Sequence, residues 1–220
     1  MKKLCELEEM GVEACAEALA EELAAGGLVV SPTDTVYGLV ASVRHPPALM
    51  RIFELKGRGW EKSLVIMAPS LEKAESLLAE EVVPRLRRLS RFWPGALTVV
   101  ARRRGDVPWM EVVAPGRDTL GLRIPDHPLA LALLRRAGLL AVTSANLSGQ
   151  ESPRLFEEIP QPILEGVSLA CRSRQPGSGM PSTIIELRRE GVELLRPGPI
   201  DLGLILEALG EGPGREGEGD

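Results

Sequence analysis

VEACAEALAEELAAGGLVVSPTDT, Val12 to Thr35, contains one full α-to-β unit and decides the fold class. Val12, Ala16, Leu19 and Leu23 recur at helical spacing, which predicts an amphipathic helix, and Gly26-Gly27 supplies its stop. Leu28 to Val30 is then a short buried strand. It delivers the chain to Pro32-Thr-Asp-Thr35, a polar loop after a strand, where α/β proteins place ligand contacts.

The same alternation continues outward. Pro46, allowed in a first turn, opens a second helix through Phe53, and Ser70 caps a third through Leu78. Asp126 caps a fourth through Arg136, ended by Gly138. Strands are expected at Leu64–Ala68, Ala96–Ala101, Leu120–Ile124, Leu139–Thr143, Ser168–Cys171, Thr183–Leu187 and Val192–Leu195. Gly191 between the last two spaces them like a hairpin, so the expected fold is α/β with a mixed rather than all-parallel sheet. One domain over residues 1–205 is expected, followed by a disordered Gly/Glu-rich tail at 206–220, whose last eleven residues have no apolar side chain.

Composition excludes several classes. At 220 residues, 44% hydrophobic and 26% charged, the chain has ordinary globular usage. An aromatic content of 3% argues against a base-stacking platform for single-stranded nucleic acid. Cys5, Cys15 and Cys171 are odd in number and far apart, so neither a disulfide framework nor structural zinc is expected, and no metal ligands are assigned. There is no secretory h-region and no run near the roughly 18 apolar residues that span a bilayer, so no membrane contact and a cytoplasmic location are expected. Net charge is -5, yet Lys56 to Arg136 carries 15 basic and 9 acidic residues. A basic zone within an acidic chain suits a local anionic ligand such as a nucleotide.

No G-x-x-x-x-G-K-[ST] or G-x-G-x-x-G pattern is present, so a nucleotide must be held by other means. Three small-polar loops follow apolar strands: Ser31–Thr35, Thr143-Ser-Ala-Asn-Leu-Ser-Gly149 and Pro181-Ser-Thr183. Any one alone reads as a turn or helix cap, whereas three together can bind a carboxylate, an amino group or phosphate oxygens. Lys56, Arg58 and Lys62 put three cations in one Gly-punctuated loop, a geometry for polyphosphate or for a solvated surface. Arg123 stands in the apolar stretch Leu120-Gly-Leu-Arg-Ile-Pro125, so it must meet either an internal or a substrate carboxylate. Arg196 has the same character at a strand end. His45 and His127 lie beside prolines in helix-entry turns and are read as structural. With no Ser-His or Cys-His pairing, binding and orientation must carry any catalysis.

SPTDTVYGL (Ser31 to Leu39), KGRGWEKSLVIM (Lys56 to Met67), RFWPGALTVV (Arg91 to Val100), LGLRIPDHP (Leu120 to Pro128), TSANLSG, PSTII (Pro181 to Ile185) and LLRPG (Leu194 to Gly198) occur in order over most of the chain. Together they resemble the YrdC-like threonylcarbamoyl-adenylate synthases, in the short, single-domain form. The resemblance implies a twisted, mixed sheet with helices on its faces enclosing a basic cavity. It also implies a nucleotidyltransferase that makes threonylcarbamoyl-AMP and pyrophosphate from L-threonine, bicarbonate and ATP, for N6-threonylcarbamoylation of adenosine 37 in tRNA. The tRNA-transfer machinery would be its partner, and RNA a further one. Mg2+ would ride on the ATP phosphates.

By the same resemblance Thr35, Arg123, Ser144 and Ser182 hold threonine, with Arg123 paired by the substrate carboxylate. An empty site would then recruit water or an anion. Arg58, Lys62, Thr119, Asn146, Arg154 and Arg196 surround ATP, and Lys56 and Arg58 are the catalytic cations. Met67 stands where many members carry a histidine near threonine, and is placed with the threonine-binding residues. The longer type has a second domain joined by a linker, which this chain is expected to lack. Competing readings are a paralogue that forms carbamoyl adenylate and an RNA-binding ribosome-maturation protein of the same fold.

Overall fold

The computed structural model describes residues 3–105 and 109–212. Among them ten strands form one sheet: β1 (Lys3–Glu6), β2 (Val29–Ser31), β3 (Gly38–Ser42), β4 (Val65–Met67), β5 (Leu97–Arg102), β6 (Thr119–Arg123), β7 (Leu140–Ser144), β8 (Leu169–Arg172), β9 (Thr183–Leu187) and β10 (Val192–Arg196). The helices are α1 (Leu7–Met10), α2 (Val12–Ala24), α3 (Pro46–Lys56), α4 (Leu71–Glu75), α5 (Val83–Leu89), α6 (Met110–Val113), α7 (Pro128–Ala137), α8 (Gln161–Gly166) and α9 (Leu202–Leu209). Strand order across the sheet is β1-β8-β2-β3-β7-β4-β6-β5-β9-β10. The pairs β1/β8, β8/β2, β4/β6 and β5/β9 are parallel and the others antiparallel, so the sheet is mixed, as expected.

Strand side chains alternate between the two faces of a sheet, so the sheet sorts its residues by period two. Val30, Leu39, Ile66, Val99, Leu120, Leu122 and Ile185 enter one apolar core with α3, α5, α6, α8 and α9. Val29, Val40, Met67, Leu140, Val142 and Leu169 enter a second core with α2 and α7. That second layer runs from β1 across β8, β2, β3 and β7 to Met67 of β4. Over β6, β5 and β9 the same face carries Arg123, Thr98 and Ile184 and is open enough to form a cavity.

Most expected elements are present within one or two residues, which is the usual uncertainty of element ends. Ser70 caps α4 by accepting from Lys73 N at 3.2 Å. The helix stops at Glu75 rather than Leu78, because Ser76 turns its hydroxyl back onto Lys73 O at 2.8 Å. Asp126 is not the cap of α7. His127 holds that position without a side-chain bond, and Pro128 at the first helical position needs no capped N–H. Helix α9 crosses the boundary expected at residue 205 and buries Ile205 and Leu209 in the first core. Of the rest of the expected tail, residues 213–220 lie outside the described residues. Strands β1 and β3 were not anticipated.

Cys5, Cys15 and Cys171 are free and buried in the second core. Among the described residues no helix is long and apolar enough to cross a membrane.

Candidate functional site

The bare part of the sheet opens into a cavity of about 190 Å³ lined by residues of β3, β4, β5, β6, β7 and β9 and the loops beside them. This is below the roughly 300–1,000 Å³ that encloses a drug-sized ligand, so it suits an amino-acid-sized group, with anything larger lying along the sheet beyond it. Thr35, Arg58, Met67, Arg123, Ser144, Ser182 and Arg196 all reach its wall, although they come from seven separate segments of the sequence.

Arg123 is 5% exposed and sits on the cavity side because Leu120, Leu122 and Ile124 take the other face of β6. Its Nε donates to Gly95 O at 3.0 Å and its Nη1 to Thr35 Oγ1 at 2.9 Å. Its Nη2 lies 2.7 Å from both carboxylate oxygens of Asp34. The internal carboxylate is therefore the partner. The expectation that only substrate would pair Arg123, leaving water or an anion in an empty site, is corrected by Asp34. Burial lowers the guanidinium pKa and the Asp34 charge raises it again, with burial the larger effect.

Thr33 organises the loop that carries these groups. Its hydroxyl donates to Val36 O at 2.7 Å and accepts from Thr35 N at 3.1 Å. Val36 N also donates to Thr33 Oγ1 at 3.3 Å, and Thr35 Oγ1 lies 3.1 Å from it while accepting from Arg123 Nη1. The loop 173–180 backs this turn, where Ser178 N and Gly179 N donate to Asp34 O and Thr35 O at 3.0 and 2.9 Å. Gly177 packs so close that a Cβ there would meet Thr35 O at 2.4 Å, so only glycine fits.

Ser182 is 4% exposed and shares a 2.8 Å hydrogen bond with Thr98 Oγ1. Its carbonyl accepts from Arg196 Nε and Nη2 at 3.0 and 2.8 Å. Burial, and secondly the Arg123 charge, lower the Arg196 pKa. Arg58 is held on its own loop, donating to Lys62 O at 3.2 Å and Ser63 O at 2.8 Å. Arg58 and Arg196 thus reach the cavity with carbonyls rather than carboxylates as their hydrogen-bond acceptors.

Lys56 does not reach the cavity wall. It is 2% exposed, and its Nζ donates to Ser144 O, Asn146 O and Asn146 Oδ1 at 2.5, 2.5 and 3.1 Å. Burial, then the Arg58 charge, pull its pKa down to about 7, while three acceptors around one nitrogen favour keeping three protons there. Asn146 is spent in the same way: Oδ1 accepts from Ser144 Oγ at 2.5 Å and Nδ2 donates to Gln150 O at 2.6 Å. Lys56 and Asn146 therefore hold the TSANLSG loop and fix the Ser144 hydroxyl, and neither is among the residues that line the cavity.

Lys62 and Arg154 have exposed side chains away from the wall, and Arg154 runs past Gly179. Thr119 shares its sheet face with Gly121 and Arg123, yet it lines a neighbouring concavity with Arg102, Glu186 and Arg188. Asp34, Thr33, Thr98 and Ser63 were missed. Asp34 was visible within the PTDT stretch, but nothing local marks its partner 89 positions away. Nδ1 of His127 is buried without a hydrogen-bond partner among the described residues. Burial lowers the His127 pKa, against the charges of Asp34 and Asp126. Among the described residues no group of three or more His, Cys, Asp or Glu is placed to hold a metal ion.

Residues 21–198 match the sequence profile of the Sua5/YciO/YrdC domain, described as "Telomere recombination". The chain belongs to the Sua5/YciO/YrdC family. Threonylcarbamoyl-AMP synthase of Bacillus subtilis is 36% identical over 83% of this chain and 53% of its own. The putative threonylcarbamoyl-AMP synthase of Mycobacterium tuberculosis H37Rv is 35% identical over 84% of this chain and 85% of its own. The crystal structure of Pyrococcus abyssi Sua5 complexed with L-threonine superposes with a TM-score of 0.85 at 34% identity, over 96% of this chain and 61% of that one. The chain spans about half the length of the first curated relatives it matches.

Proposed function

We propose that this chain makes threonylcarbamoyl-AMP and pyrophosphate from L-threonine, bicarbonate and ATP in the cytoplasm, for N6-threonylcarbamoylation of adenosine 37 in tRNA. The observation that carries the reading is the make-up of one cavity wall. It brings Arg123, Thr35 and Ser182, suited to an amino acid, together with Arg58 and Arg196, cations whose hydrogen-bond acceptors among the described residues are carbonyls and a hydroxyl. The names of the relatives and the threonine-bound neighbour support it.

In this reading the neutral threonine amine and bicarbonate condense to a carbamate with loss of water. The carbamate oxygen attacks the α-phosphorus and pyrophosphate leaves. No protein nucleophile is needed. Arg123 and Thr35 orient the amino acid, with Met67 packed beside them, and Ser144 presents a hydroxyl between the two ends. Arg58 and Arg196 neutralise phosphate charge in the transition state. Lys56 and Asn146 act by holding Ser144, and Lys62, Thr119 and Arg154 reach only the part of ATP that extends beyond the cavity. The cations on the wall fit phosphate oxygens rather than a metal, so Mg2+ rides on ATP, where it would supply further charge stabilisation. The partner that takes the product is the tRNA threonylcarbamoyl-transfer machinery, with RNA itself a further partner.

The test is pyrophosphate release from ATP with bicarbonate, with and without threonine. Release that requires threonine is expected. Equal release without it contradicts the reading and points to a carbamoyl-adenylate-forming paralogue. Tight, salt-sensitive RNA binding without any ATP effect on thermal stability points to an RNA-binding protein.

A further inference from the structure

Arg123 meets Asp34 and the cavity at once. Nη2 lies against both Asp34 oxygens at 2.7 Å, Nε is bonded to Gly95 O, and Nη1 has one hydrogen on Thr35. The guanidinium has five N–H groups, so the second N–H of Nη1 remains for a ligand. Asp34 itself is off the cavity wall, with its side chain 16% exposed. A ligand carboxylate on that Nη1 N–H therefore shares Arg123 with a second, fixed carboxylate.

We infer that Asp34 is a specificity-determining residue, which offsets the Arg123 charge where a ligand carboxylate would meet it, so that the cavity takes a zwitterionic α-amino acid there in preference to simple carboxylates and phosphate. With Arg123 alone, any anion would gain the same attraction. With Asp34 present, an anion meets an opposing charge, whereas the ammonium group of a zwitterion offsets it. This is discrimination by a built-in repulsive element.

The inference rests on the threonine reading above, and the test separates the two. Calorimetric titration of the full chain would compare L-threonine with 2,3-dihydroxybutanoate, which has a hydroxyl in place of the amine. Wild type should prefer threonine by on the order of tenfold or more, the scale of one close charge interaction. Asp34→Asn should shrink that ratio toward unity and let inorganic phosphate compete with threonine, while Asp34→Glu should restore the preference. An unchanged ratio in Asp34→Asn, with both affinities moving together, overturns the inference and leaves Asp34 as a support for Arg123. If the Asn variant does not fold, wild type still decides, since equal binding of threonine and its deaminated analogue overturns it. Binding of another α-amino acid in preference to its deaminated analogue, with no binding of threonine, removes the threonine reading and keeps this inference. Binding of no amino acid overturns both.

Discussion

Two halves of one sheet face behave in opposite ways. Where α2 and α7 cover it, β2, β3, β7 and β8 present Val29, Val40, Val142 and Leu169 to an apolar core. Beyond α2 and α7, β5, β6 and β9 present Thr98, Arg123 and Ile184 to a cavity. Met67 and Val142 belong to both, lining the cavity while packing in the second core. The contrast shows how one pleated scaffold serves stability and binding: the helical layer ends, and the residues beyond it are free to be polar without losing the core on the other face.

The largest break in this comparison is expected from Arg123→Ala. It leaves Asp34 partly buried without its partner, and one-sided removal of a buried pair costs about 3–5 kcal/mol. Urea denaturation should show that loss, together with threonine-dependent turnover reduced by at least about a hundredfold. Leu19→Ala, under the covered half, should cost about 2–5 kcal/mol, yet the folded fraction should keep wild-type threonine affinity. A changed affinity there would mean that the two halves are coupled.

Lys56→Met sharpens the boundary by a pH signature. The folded-state pKa of Lys56, about 7, lies below its ordinary 10.5. Between those values the unfolded chain binds a proton that the folded chain does not, so this group adds stability as pH rises from about 7 to 10.5. The wild type should show that slope in denaturation measurements and the Met variant should lose it. A flat wild-type profile would mean that the three acceptors keep Lys56 charged. The smallest effect is expected from Thr98→Val, which removes one hydrogen bond to Ser182, costs about 1 kcal/mol and raises the threonine KM several-fold.

Much of the covered half was legible because periodicity reports burial. The α2 positions Ala16, Leu19 and Leu23 are all buried, and the Thr183–Leu187 strand occurs with its expected bounds. Strand β3 was not legible: Gly38, Ala41 and Ser42 dilute its alternation, and all five residues are buried. Strand β1 is a short edge whose pairing with β8 spans most of the chain, a tertiary contact without a local signal. At the site, the oddity of Arg123 could be read from its apolar neighbours. Its partner could not, because Asp34 and Arg123 meet only through the sheet order. Lys56 and Asn146 carried the right chemistry for a ligand, but burial turned both toward the loop. Met67 lies on the cavity wall, opposite Arg123 in the β4/β6 register.

The central claim is that the bare half has two chemically distinct ends. Crossed calorimetry on Arg123→Ala and Arg58→Ala, each titrated with L-threonine and with Mg2+-ATP, tests it most directly. The account predicts that Arg123→Ala weakens threonine far more than ATP, and that Arg58→Ala does the reverse. Equal losses for both ligands in both variants would contradict it.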